Sequence, residues 1–183
     1  MEDNLITYYH GSSSAERPVL LSGFNAKLRG YPFDGVFANI TMDAAKSHGD
    51  FIHEYAFLAD EIASSSDLDQ FDKVKDVLAR EVGTDDEQKL SAVFEIAVWH
   101  DNDRRSDEEL LEDFGLTPDD LYPRIDADYG GIGWELQRLR GVIAKELGFK
   151  AVEMSDEHGT SLYVLEDPLE RVQLSEPESE MTM

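Results

Sequence analysis

Residues 151–165 read AVEMSDEHGTSLYVL, a run in which two β-prone stretches flank a short polar turn. The first stretch stops at two adjacent carboxylates, Asp156 and Glu157, and Gly159 precedes the second stretch. This pattern predicts a β-hairpin with strands over residues 150–154 and 160–165. Placing two carboxylates together is costly unless they are solvated or paired, so they are either an ordinary polar turn or part of a functional site.

The length and composition are typical of one folded domain. The chain has 183 residues, of which 41% are hydrophobic and 10% aromatic, enough for a single core. It contains no cysteine, which excludes disulfides and thiolate metal sites. The sequence shows no signal peptide and no apolar run that could span a bilayer, so we expect a soluble cytoplasmic protein.

The charge is strongly negative. Asp and Glu number 40 against 16 Lys and Arg, for a net charge of −24. Such a field repels nucleic acid and anionic membranes and attracts basic protein surfaces. Two interpretations stay open: the charge provides solubility, or it serves a partner with a positive groove, including a groove that normally holds DNA.

The N-terminal part predicts a strand over residues 5–9 that runs into a polar turn at His10, Gly11 and Ser12. Side chains alternate along a strand, so His10 is expected on the same face as Ile6 and Tyr8. Glycine allows the backbone to approach a ligand closely. Taken alone, a histidine at a strand end is more often packed or solvated than functional.

The rest of the chain predicts an α+β fold with a mainly antiparallel sheet. We expect an irregular loop over 17–35, a short helix over 43–48 capped by Thr41, and a helix up to Val82 with Ser66 or Asp67 as its N-cap. In a later helix, Trp134 and Leu136 are expected to face the core. The remaining expectations are strands over 35–38, 54–58 and 171–174, helices over 84–98, 106–114 and 134–147, a single domain over 1–174 with an acidic helical insertion at about 64–129, and a frayed tail over 175–183.

Several common chemistries are excluded by the sequence. The five histidines are scattered without helical i, i+3 or i, i+4 pairs, so we expect no metal site. Neither a Gly-x-x-x-x-Gly-Lys-Ser/Thr loop nor a Gly-x-Gly-x-x-Gly loop is found. The serines at 12–14 lack an elbow or a base partner that would make one of them a nucleophile.

Three segments together resemble the ADP-ribosyltransferase superfamily. They are YHGS at 9–12, GVFA at 35–38 followed by AAKSHG at 44–49, and the carboxylates at 156–157. Superfamily members have a split antiparallel sheet with His-Gly-Thr/Ser on the first strand and a carboxylate on a later strand. In the C-terminal part, WELQ at 134–137, LGF at 147–149 and DEHGT at 156–160 are similar to the phage-encoded type I-F anti-CRISPR ADP-ribosyltransferases. Those enzymes disable the CRISPR surveillance complex by modifying its PAM-reading subunit.

The resemblance implies an NAD-dependent mono-ADP-ribosyltransferase that uses NAD as the ADP-ribose donor. It implies that Asp156 is the catalytic acid, because the similar family has Asp at this position of its motif. Glu157 is the alternative, because many superfamily members use Glu. Cleavage of the nicotinamide–ribose bond develops oxocarbenium character, which a fixed carboxylate stabilises electrostatically.

The resemblance also implies a set of NAD-binding residues. The His10-Gly11-Ser12 motif would bind the donor, with His10 on a ribose and the main chain of Gly11 on the nicotinamide carboxamide. Phe37 would stack on the nicotinamide ring. The aromatic residue usual at the end of the second segment is replaced here by Ser47-His48, so stacking is either one-sided or completed by His48.

Three functions remain open from the sequence. The first is a transferase that modifies a basic protein, an asparagine side chain being the acceptor in the similar family. The second is a non-enzymatic acidic inhibitor that mimics DNA in a basic groove. The third is a toxin-type transferase with a different host target. A requirement for NAD separates the enzymes from the mimic.

Overall fold

A computed structural model describes residues 5–18, 20, 35–101, 105–121, 131–156 and 159–168. The predicted strand over 171–174, the tail, most of the 17–35 loop and Glu157 lie outside these residues. Of the described helices, none is both long and apolar enough to cross a membrane.

Six strands form one sheet, in the order β3-β1-β2-β6-β5-β4. All neighbouring strands are antiparallel except β4 and β5, which are parallel. The predicted hairpin is confirmed, since β5 and β6 pair from Ala151↔Val164 to Asp156↔Gly159. The strands are β1 (Leu5–Ser12), β2 (Val36–Asn39), β3 (Phe51–Leu58), β4 (Ile62–Ala63), β5 (Ala151–Asp156) and β6 (Gly159–Val164).

The sheet divides between β1 and β2. Strand β1 pairs with β3 over its whole length, from Leu5↔Leu58 to Ser12↔Phe51. Among the described residues, a single register pair, Tyr9↔Asn39, joins β1 to β2. One half of the sheet is therefore β3-β1 and the other is β2-β6-β5-β4, and the two halves separate beyond Tyr9. The predicted α+β class with a split, mainly antiparallel sheet is confirmed.

Seven α-helices are found in the described part of the chain. They are α1 (Met42–Lys46), α2 (Ser65–Leu68), α3 (Phe71–Val82), α4 (Glu87–Trp99), α5 (Asp107–Asp113), α6 (Pro118–Leu121) and α7 (Gly131–Glu146). Thr41 caps α1 as predicted, accepting a hydrogen bond from the Ala44 N–H. Helices α2–α6 occupy the segment predicted as a helical insertion. That this segment is an insertion into the sheet, and that a single domain extends to residue 174, remain predictions.

Two sequence expectations about helices are wrong. The helix expected up to Val82 is two helices, because Asp69 and Gln70 have non-helical backbone angles. The N-cap of the first helix is Ser64, whose N–H donates to the carboxylate of Asp67 at 2.9 Å. Trp134 is 44% exposed instead of facing the core. Helix α7 begins at Gly131, so Ile132 takes the core position one turn before Leu136.

The sheet has an apolar core on each face. Helices α2–α7 pack on one face, where Val152, Met154 and Tyr163 join the helical side chains. The other face carries a smaller cluster built around Tyr8, Tyr55, Phe57, Leu162 and Val164. Each strand of the central hairpin thus contributes alternate residues to the two cores.

A buried ion pair links α7 to α3. The Arg138 guanidinium donates to both carboxylate oxygens of Glu135, at 2.9 and 2.8 Å, and to Glu81 at 2.7 Å. The Glu135 side chain is only 1% exposed. Removing one member of a buried pair leaves an uncompensated charge, which is far more costly than losing a surface pair.

We therefore predict that Glu135→Ala lowers the free energy of unfolding by about 3 kcal/mol, the lower end of the range for buried pairs because Glu81 remains beside Arg138. The matched control is Asp43→Ala, which removes an exposed carboxylate from an i, i+3 pair with Lys46. This control is expected to stay within about 0.5 kcal/mol of the parent protein in urea denaturation. Equal losses for the two variants would contradict the assignment of a stabilising role to the buried pair.

Candidate active site

His10 lies where the two halves of the sheet separate. Its Nδ1 is 2.6 Å from the carbonyl oxygen of Phe37 on β2. A carbonyl can only accept, so Nδ1 carries the proton and Nε2 is an acceptor in the neutral ring. The imidazole thereby bridges β1 and β2 just beyond the Tyr9↔Asn39 pair, in place of main-chain pairing.

The environment of His10 favours the neutral ring. Burial lowers its pKa from the usual 6.5, and the bond to Phe37 opposes this effect. The nearby His53, His48 and Arg17 lower the pKa further by charge repulsion. The ring of His53 stacks on that of His10 with centroids 6.3 Å apart. At neutral pH, His10 is therefore an uncharged hydrogen-bonding group.

Helix α1 is seated against the end of β1 through two glycines. A Cβ added at Gly11 would lie 1.9 Å from the carbonyl oxygen of Ala45, and one added at Gly49 would lie 2.2 Å from the carbonyl carbon of Ser12. Only glycine permits this approach at either position. The close packing of α1 brings His48 near enough to His10 to affect its pKa. The contact of the Gly11 main chain with a ligand stays a prediction.

Ser12 ends β1 and turns the chain. Its hydroxyl accepts a hydrogen bond from the Ser14 N–H at 3.1 Å. The same turn is held by His53, whose Nε2 lies 3.1 Å from the carbonyl oxygen of Ser14. The His10-Gly11-Ser12 segment is consequently tied to β3 and to the start of the following loop.

The ring of Phe37 has an aromatic partner on one face. It stacks on Tyr163 of β6 with centroids 5.0 Å apart and planes inclined by 13°. Tyr163 is buried, and a Cβ added at Gly141 of α7 would lie 2.2 Å from its Cε1 atom. One face of the Phe37 ring is thus occupied by Tyr163, and any nicotinamide stacking on Phe37 must use the other face.

The catalytic acid expected at Asp156 is the last residue of β5. Its side chain and Glu157 lie outside what the structure describes. Two strands, β2 and β6, separate β5 from β1. The register aligns Tyr9, Asn39, Ser161 and Met154 across the sheet, and β1 and β5 run in opposite directions. His10 and Asp156 therefore lie on opposite sides of this line, and pairing alone does not bring them together.

Glu153 is a carboxylate on β5 that the sequence interpretation passed over. Glu153 precedes Met154 on β5, and His10 follows Tyr9 on β1. Because these two strands run in opposite directions, Glu153 and His10 lie on the same side of the aligned residues and are level across the sheet. Its side chain is exposed. Burial, followed by the charge of Glu153, raises the pKa of Tyr8. In the sequence, Glu153 fits the polar position of a strand with alternating polar and apolar residues, so nothing indicated it as a site residue.

Comparison with known proteins identifies the family. A family model described as "Anti-CRISPR Type I-F ADP-ribosyltransferase AcrIF11" matches residues 6–171. Among solved structures, one titled "Crystal structure of an anti-CRISPR protein" aligns with a TM-score of 0.53 and 26% sequence identity, over 89% of this chain and 91% of that chain. No curated protein sequence matches.

The matched segment contains strands from both halves of the sheet, the His10 motif, and the hairpin whose first strand ends at Asp156. The chain also has the split, mainly antiparallel sheet expected from the resemblance. The family implies mono-ADP-ribosyltransferase activity, with NAD in general as the donor. On this evidence the chain belongs to the type I-F anti-CRISPR ADP-ribosyltransferase family.

Proposed function

We propose that this enzyme transfers ADP-ribose from NAD to a protein of the type I-F CRISPR surveillance complex, specifically to its PAM-reading subunit, in the cytoplasm of the host cell. The observation that carries the proposal is the opening of the sheet at β1. There the half-buried, neutral His10 bridges to Phe37, in a chain that matches the family from residue 6 to residue 171.

The donor site in this proposal is the opening between β1 and β2. The His10 Nε2 accepts a hydrogen bond from a ribose hydroxyl, while Nδ1 keeps the ring oriented through Phe37. The Phe37 ring stacks on nicotinamide, either alone or together with His48, and the main chain of Gly11 binds the carboxamide. Ser12 shapes the turn that follows these two β1 residues.

The chemistry requires a carboxylate near the ribose next to the nicotinamide. NAD supplies nicotinamide as a neutral leaving group, which takes the electron pair of the broken C–N bond. The acceptor nitrogen of the target then bonds to the same ribose carbon and loses its proton. In the proposal, Asp156 hydrogen-bonds a ribose hydroxyl and offsets the positive charge that develops on the sugar. Glu157 is the alternative carboxylate.

The charge of −24 suits a basic target. A protein surface that binds DNA is positively charged, so long-range attraction would speed the encounter and weaken with salt. We propose that residues 1–174 act as one domain and that the acidic helices of the 64–129 segment contact the target.

We predict that incubating the protein with NAD and a type I-F surveillance complex adds one ADP-ribose unit to the PAM-reading subunit, as read from intact masses of all subunits. Asp156→Ala is expected to abolish the mass increase, because the developing charge on the ribose loses its counterpart. Glu153→Gln and Glu157→Gln, which remove neighbouring carboxylates, are expected to retain modification.

Each other outcome contradicts a defined part of the proposal. Loss of activity in Glu153→Gln, with Asp156→Ala still active, would move the catalytic role to Glu153. Modification of another subunit would overturn the target. Inhibition of DNA binding with no mass change and no need for NAD would favour a DNA mimic over the transferase.

Proton binding by His10 predicts a pH dependence of stability. Its pKa is lowered in the folded protein by burial, whereas the unfolded chain titrates near the usual 6.5. Between these values the unfolded state binds more protons, so stability falls as pH falls below 6.5 and is fully present above it. His10→Gln, which does not titrate, is expected to show a flatter profile over the same range.

The measurement is the free energy of unfolding from urea titrations across this pH range, for the parent protein and for His10→Gln. Because the two proteins differ only at position 10, the difference between the profiles isolates His10. The KM for NAD of the parent protein is expected to rise as the pH falls toward the lowered pKa of His10, since a protonated Nε2 cannot accept a hydrogen bond. Identical profiles would show that His10 is not held neutral by the fold.

A further inference from the structure

The end of β5 extends past its neighbouring strand. Strand β4 has two residues, and its pairing with β5 ends at Ala63↔Val152. From Glu153 onward, the β5 edge that faces away from β6 runs beyond β4. The main-chain groups of an unpaired edge must find other partners or remain exposed to water. This is the part of β5 that leads to Asp156.

Two side chains take the place of a strand on this edge. The Nε of Arg140 donates to the carbonyl oxygen of Glu153 at 2.8 Å. The Ser155 N–H donates to Oδ2 of Asp101 at 3.1 Å. The same carboxylate oxygen lies 3.9 Å from Nη2 of Arg140, so donor and acceptor attract each other. Together they provide one donor and one acceptor, as a neighbouring strand does over two residues.

Arg140 is itself fixed in the core. Its side chain is 2% exposed. Nη1 donates to the carbonyl oxygens of Ala97 at 3.1 Å and Val98 at 2.6 Å, and Nη2 donates to Oγ of Ser65 at 2.9 Å. The carbonyls of the last turn of a helix have no partner within the helix, so the guanidinium completes the end of α4. Arg140 thus ties α2, α4 and α7 to the edge of β5.

We propose that Arg140 and Asp101 are positioning residues that hold the last residues of β5 in register and thereby place Asp156 for catalysis. This inference rests on the proposed function, in which Asp156 acts at the ribose. Ser155, whose N–H is bound by Asp101, directly precedes Asp156. Residues 157–158 then connect the two strands, so the contact at Ser155 is the last one described on this edge before the turn.

The expected effect is on turnover more than on donor binding. A displacement of about 1 Å in a reacting group can reduce the rate by about 100-fold. One strand separates β5 from β2 and two separate it from β1, so we expect the donor-binding residues on β1 and β2 to be unaffected. Loosening β5 should therefore lower kcat and leave KM for NAD nearly unchanged.

Asp101 is the better residue to test, because its side chain is 18% exposed, whereas replacing Arg140 would remove contacts with three elements, α2, α4 and β5. We predict that Asp101→Ala lowers kcat for ADP-ribosylation by about 10- to 100-fold, with KM for NAD changed less than about twofold. Asp101→Asn keeps an oxygen that accepts the Ser155 N–H, so it is expected to restore kcat to within about threefold of the parent.

The matched control is Asp107→Ala. Oδ2 of Asp107 accepts the Gly133 N–H at 3.0 Å, the same kind of contact, but on α7 instead of β5. This variant is expected to lower the melting temperature without lowering kcat. A kcat loss in Asp107→Ala equal to that in Asp101→Ala, or no kcat loss in Asp101→Ala, would overturn the positioning role.

Amide hydrogen exchange at Ser155 separates this inference from the proposed function. Asp101→Ala is expected to accelerate exchange of the Ser155 amide, and Asp107→Ala is not. If Asp156→Ala abolishes activity while Asp101→Ala changes neither kcat nor exchange, only the positioning role is wrong. If Asp156→Ala stays active, the catalytic assignment is wrong, and the positioning role built on it falls as well, even where Ser155 exchange responds to Asp101→Ala.

Discussion

The arrangement of helices and sheet depends on the hydrogen bonds made by the buried guanidinium of Arg140. Burying an arginine is costly unless its donors find acceptors with good geometry. Here the acceptors are two carbonyls at the end of α4, the hydroxyl of Ser65 and the carbonyl of Glu153. Burial lowers the pKa of Arg140, and the charges of Asp101 and Glu153 oppose that shift. One side chain on α7 therefore connects the helical layer to the strand that carries the candidate acid.

The opposite side of the molecule is organised by the division of the sheet. Strands β1 and β3 pair over eight residues, whereas β1 meets β2 at one register pair and through the His10 imidazole. Helix α1 packs against the end of β1 through Gly11 and Gly49. These contacts leave His10 half-buried beside an opening, with its Nδ1 hydrogen-bonded to Phe37. A family that binds a dinucleotide can use such an opening without breaking any paired strand.

Sequence patterns predicted the elements that are determined by residues close together in the chain. Alternating apolar residues and a glycine predicted the β5–β6 hairpin, and a threonine before an alanine-rich turn predicted the α1 cap. The strand β4 was missed, since two residues carry too little pattern and its pairing depends on β5. The helix break after Leu68 was missed because the apolar spacing continues through it, although the backbone of Asp69 and Gln70 is not helical.

The candidate site was predicted only in part, for a similar reason. The His10 motif could be found from its sequence, but its neutral state depends on burial and on Phe37, which lies 27 residues away. Arg140 lies in a helix, and an arginine in a helix normally points to solvent. Its partners Ala97 and Val98 are 43 and 42 residues distant, so no local pattern could indicate them. The roles in NAD binding and catalysis remain predictions for every site residue: His10, Gly11, Ser12, Phe37, His48, Asp156 and Glu157.

In the proposed function, the opening between β1 and β2 is the donor site and the end of β5 reaches its ribose. A crystal structure with a non-hydrolysable NAD analogue would test both contacts at once. We expect nicotinamide against the ring of Phe37, the His10 Nε2 within about 3 Å of a ribose hydroxyl, and the Asp156 carboxylate at the ribose next to the nicotinamide. An analogue bound elsewhere, or one whose ribose contacts Glu153 instead of Asp156, would contradict it.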